Sequence, residues 1–159
     1  CPCGFFGDES GKCSCTATQI KNYMGKISGP LLDRIDLQIE VKALKFNDLS
    51  NDSKGESSSS IKNRVNNARR IQLERYKKER IFSNSQLKPK QMNKYCKIGK
   101  EEKSILEEAF DRFNLSARAY NRILKVARTI ADLENSDNIK VNHIAEAIQH
   151  RTLDKKYFI

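Results

Sequence analysis

Residues 115–133, LSARAYNRILKVARTIADL, have the most regular helical pattern in this chain of 159 residues. Ser116 is a suitable helix N-cap because its hydroxyl can accept a hydrogen bond from a backbone N–H of the first turn. Apolar side chains then recur at helical spacing, at Ile123, Val126 or Ala127, Ile130 and Leu133. The pattern predicts an amphipathic helix with one buried face, which needs other helices to cover it.

Arg118 lies in the first turn of this predicted helix, where a cation meets the positive end of the helix dipole. A bound anion nearby would remove that penalty. The alternative is that the Arg118 side chain extends over neighbouring apolar surface and keeps its charge in water. The first interpretation predicts an arginine that contacts phosphate.

Further helices are predicted on both sides of this one. Apolar residues three and four apart indicate a helix from Ile61 onward, with basic residues on its other faces. Gly99 precedes a helix over Lys100–Phe113, and Asn142 can cap a last helix over His143–Arg151. These elements predict a mainly α-helical bundle.

The N-terminal part has shorter elements. Thr18–Gly25 is predicted to be a short amphipathic helix that ends at its glycine. Leu37–Val41 alternates apolar and polar residues, which predicts a half-buried strand. Residues 48–60 are rich in Ser, Asn, Asp and Gly and are predicted to be a linker that divides residues 1–47 from residues 61–159.

A second candidate arginine lies in residues 28–36, SGPLLDRID. Leu31 and Leu32 can anchor this turn, so that Arg34 is held rigidly enough to bring a fixed fork of donors to a phosphate. Asp33 and Asp36 flank it. The alternative is therefore that Arg34 is simply paired with these acidic neighbours, as surface charges often are.

Four cysteines lie in the first fifteen residues, as Cys1-Pro-Cys3 and Cys13-Ser-Cys15, with glycines between them that permit tight turns. Four thiolates can form a closed tetrahedral zinc site of the structural kind. The usual spacing in such sites is C-x2-C, so reduced or incidentally oxidised thiols are the alternative. Cys96 stands apart from them and is expected to be a small buried apolar residue.

The chain carries 30 Lys and Arg against 20 Asp and Glu, a formal charge of +10, which favours polyanionic partners. The candidate DNA contacts are Arg69, Arg70, Lys77 and Lys78, with an ordinary solvated face as the alternative. No apolar run approaches the roughly 18–20 residues of a membrane span. Without a signal-peptide pattern either, a cytoplasmic protein that does not contact membranes is expected.

The segments around Arg34 and Arg118 resemble the magnesium-chelatase-like AAA+ ATPases, and in particular their bacterial competence-protein (ComM-type) branch. The resemblance implies that Arg34 is an arginine finger acting on ATP of a neighbouring subunit, and that Arg118 is the sensor-2 arginine. It also implies ATP and Mg²⁺ as cofactors, a hexameric ring of identical subunits, and movement along DNA in recombination and transformation.

In fold, the resemblance implies the helical lid bundle of an AAA+ protein over residues 61–159. Before it, residues 1–47 would be a small cysteine-containing remnant of the nucleotide-binding core with one or two short strands. The phosphate-binding loop is not found in these 159 residues, so this part by itself is expected not to hydrolyse ATP. Two alternatives remain: a non-enzymatic zinc-knuckle module that binds nucleic acid, and the motor subunit of a magnesium chelatase.

Overall fold

The computed structural model describes residues 1–41 and 55–151, and its regular structure there is helical, with no β-strand. The helices, in chain order, are α1 Ala17–Met24, α2 Gly29–Leu32, α3 Ser58–Arg75, α4 Pro89–Tyr95, α5 Lys100–Phe113, α6 Ala117–Leu133 and α7 Val141–Gln149, with a 3-10 turn at Asn84–Gln86. The prediction of a mainly α fold is confirmed.

Side chains next to the helix ends explain several of these boundaries. Ser116 accepts a hydrogen bond from the Ala119 N–H at 3.2 Å and starts α6 as predicted. Gly99 is the N-cap of α5, and that helix ends where Asn114 takes a left-handed backbone conformation with a φ of 47°. Asparagine tolerates that conformation better than most residues.

The hydrophobic core lies where α5, α6 and α7 pack against one another. Ile123 and Ala127 of α6 and Ile144 and Ala147 of α7 have no exposed surface, and Leu106 of α5 is buried beside them. The two alanines let the helix backbones approach closely, while the branched side chains fill the space between the turns. The core face predicted for α6 is therefore confirmed.

The basic helix α3 is covered over only part of its length. Ala68 and Gln72 are buried, and so is Tyr76 just after the helix, whereas Ile61 and Val65 are 42% and 45% exposed. The first two turns of α3 therefore project beyond the bundle formed by residues 58–151. The apolar spacing that predicted the helix from Ile61 onward is therefore only partly reflected in burial, because no described residue covers Ile61 and Val65.

Two predicted elements differ from the structure. Leu37–Val41 forms no strand, because none of the described residues pairs with it as a second strand, and the Gln38 N–H donates to the His150 carbonyl instead. The last helix begins at Val141, so its N-cap is Lys140 and not Asn142. The Asn142 amide points to the Glu134 carboxylate.

The predicted linker over residues 48–60 lies partly outside the described residues, and its last three residues already belong to α3. Ser57 caps that helix by accepting a hydrogen bond from the Ser60 N–H. In the described part of the chain, no helix has the length and apolar character needed to cross a membrane.

Candidate functional site

Arg34 lies at the exposed surface just after α2. Its Nη1 donates to the Pro30 carbonyl at 2.6 Å, a contact across one helical turn. Among residues 1–41 and 55–151, no carboxylate lies within ion-pair distance of its guanidinium. The alternative interpretation, in which Arg34 is paired with Asp33 and Asp36, is therefore not what the structure shows.

The two acidic neighbours of Arg34 are paired with arginines of the bundle instead. Arg122 of α6 forms an ion pair with the Asp36 carboxylate and donates to the Arg34 carbonyl at 2.9 Å. Its side chain is 30% exposed, so this contact lies at the edge of the fold. The backbone that carries Arg34 is thus held from the bundle while its guanidinium is left open to solvent.

Arg151, two residues after α7, makes the matching contact on the other side. Its Nη1 donates to the Ile35 carbonyl at 2.9 Å, and its Nη2 lies 3.6 Å from the Asp33 carboxylate. The Arg151 residue is only 4% exposed, so these contacts are shielded from water. The hydrogen bond from the Gln38 N–H to the His150 carbonyl, at 2.8 Å, lies next to them.

Arg118 is exposed at the start of α6, one helical turn before Arg122. In the described part of the chain, no carboxylate lies within ion-pair distance of it. Residues four apart on a helix share a face, so Arg118 and Arg122 both lie on one side of α6. Helix α6, which carries Arg118, therefore contacts the segment that carries Arg34 through Arg122. The side chains of Arg34 and Arg118 themselves are both exposed.

The candidate DNA contacts lie on α3 and in the turn after it, and all four are exposed. The Arg70 guanidinium donates to the Asn67 side chain at 2.8 Å, and Lys77 lies 3.6 Å from the Glu74 carboxylate. Exposed pairs of this kind are weak and do not remove a cation from solvent. Arg69, Arg70, Lys77 and Lys78 therefore all keep their charges in contact with solvent.

The four N-terminal cysteines come together in residues 1–15, the cysteine loop. Their Sγ atoms all lie within 4.8 Å of one another, and all four thiols are free. The Sγ distances from Cys1 to Cys3, Cys1 to Cys13 and Cys3 to Cys13 are 3.4, 3.8 and 3.7 Å. These are too long for disulfide bonds, in which the sulfurs are about 2.05 Å apart.

The chain has two different kinds of thiol. The Phe5 backbone N–H, together with the neighbouring cysteines, lowers the pKa of Cys3 to about 7. Burial raises the pKa of Cys96 to about 11, and Cys96 is 4% exposed. The expectation that Cys96 is a small buried apolar residue is confirmed.

A buried polar cluster joins α3, the 3-10 turn and α6 around Asp132, which has no exposed surface. Its carboxylate accepts from Arg75 at 2.8 Å, from the Asn84 amide at 2.8 Å and from Arg128 Nε at 3.2 Å. Arg128 also donates to two backbone carbonyls after α6. Burial lowers the pKa of Arg128, and a fully bonded cluster of this kind fixes how α3 packs on α6.

Sequence reasoning missed two of these features. No sequence pattern marked Arg151 as a contact of the Arg34 segment, and none indicated that Arg122 pairs with Asp36. The one local signal was the four-residue spacing of Arg128 and Asp132, which indicates an ion pair on one helix face. The long-range partners have no such signature.

Two family models of known proteins match different parts of the chain. The family described as magnesium chelatase, subunit ChlI, matches residues 1–49, and the family described as its C-terminal part matches residues 55–151. The competence protein ComM of Haemophilus influenzae is 42% identical over 85% of this chain and 26% of its own length.

The protein YifB of Salmonella typhimurium is 41% identical over 89% of the chain and 27% of its own length. An uncharacterized protein of Mycobacterium bovis is 31% identical over 95% of the chain and 29% of its own length. The chain thus spans about a quarter of the length of these relatives, and each of the three alignments covers most of the chain.

Proposed function

Since the chain belongs to the magnesium chelatase ChlI family, we propose that it supplies the C-terminal part of an ATP-driven AAA+ motor of the competence-protein branch. The observation that carries this proposal is the state of Arg34 and Arg118. Both are exposed, and neither has a carboxylate partner in the described part of the chain. An arginine without such a partner keeps its donors available for phosphate.

In this proposal Arg34 acts on the γ-phosphate of ATP bound by the next subunit of a ring, and Arg118 contacts the ATP of its own subunit. Phosphoryl transfer develops charge on the phosphate oxygens, and a guanidinium placed there stabilises it. ATP and Mg²⁺ would be bound chiefly by the phosphate-binding residues of the intact protein. A hexameric ring is the arrangement that we expect from the family.

The motor proposal is tested on the intact protein by steady-state ATP turnover. Arg34→Ala is expected to lower kcat by about 10³-fold or more, within the range of other arginine fingers, while ATP still binds. Mixing catalytically dead subunits that retain Arg34 with Arg34→Ala subunits should restore turnover, because the arginine acts in trans. Lys103→Ala, on an exposed face of α5, is the matched control.

Arg118→Ala is expected to weaken ATP binding as well as turnover, because this side chain acts on the nucleotide of its own subunit. Turnover unchanged in both variants would refute both assignments. An intact protein with no ATP turnover would favour the alternative of a non-enzymatic zinc-knuckle module. Turnover that depends on a porphyrin substrate would favour the chelatase motor.

We propose that the substrate along which the motor moves is DNA, in recombination and transformation. The helix α3 supports this, because Arg69 and Arg70 are exposed on the side of the helix that the buried Ala68 and Gln72 leave free. Changing Arg69 and Arg70 to Glu should weaken DNA binding and reduce its dependence on salt, since each phosphate contact contributes to that slope. Binding with unchanged affinity and salt slope would contradict this interface.

A further inference from the structure

We propose that the cysteine loop is a structural zinc site with four thiolate ligands: Cys1, Cys3, Cys13 and Cys15. This inference goes beyond the motor and does not depend on it. The first argument is geometric. In a tetrahedral site with zinc–sulfur bonds of about 2.3 Å, neighbouring sulfurs are about 3.8 Å apart. The Sγ pairs among Cys1, Cys3 and Cys13 lie at 3.4, 3.8 and 3.7 Å, and all four Sγ atoms, that of Cys15 included, lie within 4.8 Å of one another.

The backbone of the loop is shaped to bring the four thiols together. Gly4, Gly7 and Gly11 have φ values of 84°, 83° and 64°, in the left-handed region that favours glycine. The Phe6 N–H donates to the Cys1 Sγ at 3.2 Å. A backbone N–H directed at a thiolate is the kind of outer contact that orients a metal ligand.

Turn hydrogen bonds such as Gly4 N–H to the Cys1 carbonyl shape the loop, but no buried side chain of residues 1–15 holds it. None of residues 1–15 is buried, and Phe5 and Phe6 are each 42% exposed. Without an apolar core or disulfide bonds, the ordering of about fifteen residues has to be offset by another interaction. Four thiolates around one divalent ion supply it, and this set leaves no open position for catalysis.

The test is the metal content of the protein, expressed without a histidine tag, purified under reducing conditions and reconstituted with zinc. One zinc ion per chain is expected, and fewer than about 0.2 per chain after reconstitution would overturn the proposal. Cys1→Ser combined with Cys3→Ser should remove the metal. Cys96→Ala, at the buried thiol outside the loop, should keep it and serves as the control.

Cobalt substitution covers the case in which the double variant fails to fold. Co²⁺ added to the metal-free protein should produce the thiolate-to-metal charge-transfer band and the intense visible bands of a tetrahedral site. Zinc should then displace the cobalt. Spectra typical of octahedral cobalt, or no bands at all, would show that the four thiols do not bind one ion together.

A different observation carries a second inference, which rests on the proposed function. We propose that Arg122 and Arg151 are positioning residues for Arg34. They hold the backbone of residues 33–38, the Arg34 segment, through its carbonyls and carboxylates. Among residues 1–41 and 55–151, the Arg34 guanidinium itself is bound only to the Pro30 carbonyl.

The route from one arginine to the other is short. Arg118 and Arg122 are one turn apart on α6, and Arg122 bonds directly to the carbonyl of Arg34 at 2.9 Å. A shift of α6 when the nucleotide at Arg118 changes would therefore move the Arg34 segment of the same subunit. In a ring, this would connect the nucleotide state of one subunit to hydrolysis in the next.

The test is ATP turnover by the intact protein carrying Arg122→Ala. A displacement of about 1 Å can cost about 10²-fold in rate, so a kcat lowered by about 10- to 100-fold is expected, with KM unchanged. Arg122→Lys, which keeps one cationic donor, should recover part of the loss. In an Arg34→Ala background, Arg122→Ala should have no further effect, and two effects that multiply would overturn the proposal.

Amide exchange separates failure of this inference from failure of the motor proposal. Arg122→Ala and Arg151→Ala should each speed exchange at the Gln38 amide, which is bonded to His150 beside them. Unchanged exchange would overturn the positioning role whatever the turnover shows. Faster exchange, with turnover unaffected by Arg34→Ala, would retain the positioning contacts and reject the assignment of Arg34 as an arginine finger.

Discussion

Replacing Asp132 by alanine should destabilise the bundle more than any single change at an exposed charge. Its carboxylate is fully buried and accepts hydrogen bonds from Arg75, Arg128 and Asn84. The variant leaves Arg128, which is 3% exposed, with a positive charge and no carboxylate. Removing one partner of a buried ion pair typically lowers the free energy of unfolding by about 3–5 kcal/mol.

The structure places the expected loss near the lower end of that range. Arg128 keeps hydrogen bonds to the carbonyls of Ser136 and Asp137, and the Arg75 side chain is 17% exposed and can reach water. We therefore expect about 3 kcal/mol, which would shift a urea midpoint by about 1.5 to 2 M if the slope is near that of small proteins. The assay is urea unfolding followed by the helical circular dichroism signal.

Two further variants make this reasoning refutable. Glu107→Ala removes an exposed partner of Lys103 and should leave the midpoint unchanged. Arg128→Met removes the buried charge itself, so it should cost less than Asp132→Ala, because the carboxylate keeps Arg75 as a partner. If Asp132→Ala behaves like Glu107→Ala, or costs less than Arg128→Met, the uncompensated-charge explanation is wrong.

Three other predictions follow from local contacts. Thr16→Ala removes the capping box of α1, so amide exchange in residues 17–24 should speed up by about fivefold, the effect of about 1 kcal/mol; unchanged exchange would contradict this role of the cap. In the folded protein Cys96 should resist alkylation at neutral pH, because burial raises its pKa to about 11; rapid labelling in peptide mass mapping would contradict its burial. The Glu134 carboxylate accepts a hydrogen bond from His143, which lowers the pKa of Glu134 in the folded protein. The stabilisation by this contact is therefore fully present above the pKa of Glu134 in the unfolded chain, and it is lost as the pH falls through the lower pKa of the folded protein. The stability difference between wild type and Glu134→Gln should therefore shrink on acidification, and a constant difference would count against this pair.

The helices were predictable where short-range signals decide them. Gly99 and Ser116 mark the starts of α5 and α6, and both helices have the predicted bounds or cap. These signals act within one turn of the chain, so they can be read without knowing the rest of the fold. The alternation in Leu37–Val41 could not be read in this way, because a strand needs a paired neighbour and none of the described residues provides one.

The same distinction applies to the candidate site. The proximity of Cys1, Cys3, Cys13 and Cys15 follows from short spacings and glycine turns, and the sequence predicted their grouping. The contacts that hold the Arg34 segment join residues 86 to 118 positions apart. Such pairs depend on how the bundle packs, and one arginine among thirty basic residues gives no sign of which carboxylate it will meet.

Five arginines around the candidate site fall into two groups with different surroundings. Arg128 and Arg151 are buried, and Arg122 is partly buried, and each is bonded to an aspartate or to backbone carbonyls that complete the fold. Arg34 and Arg118 are exposed and have no carboxylate within ion-pair distance in the described residues. A guanidinium is always charged, so a carboxylate partner satisfies its donors within the fold, whereas an exposed arginine without one leaves most of its donors open to solvent. The acidic residues beside Arg34 therefore do not neutralise it: they are the points by which the bundle holds the segment that presents it.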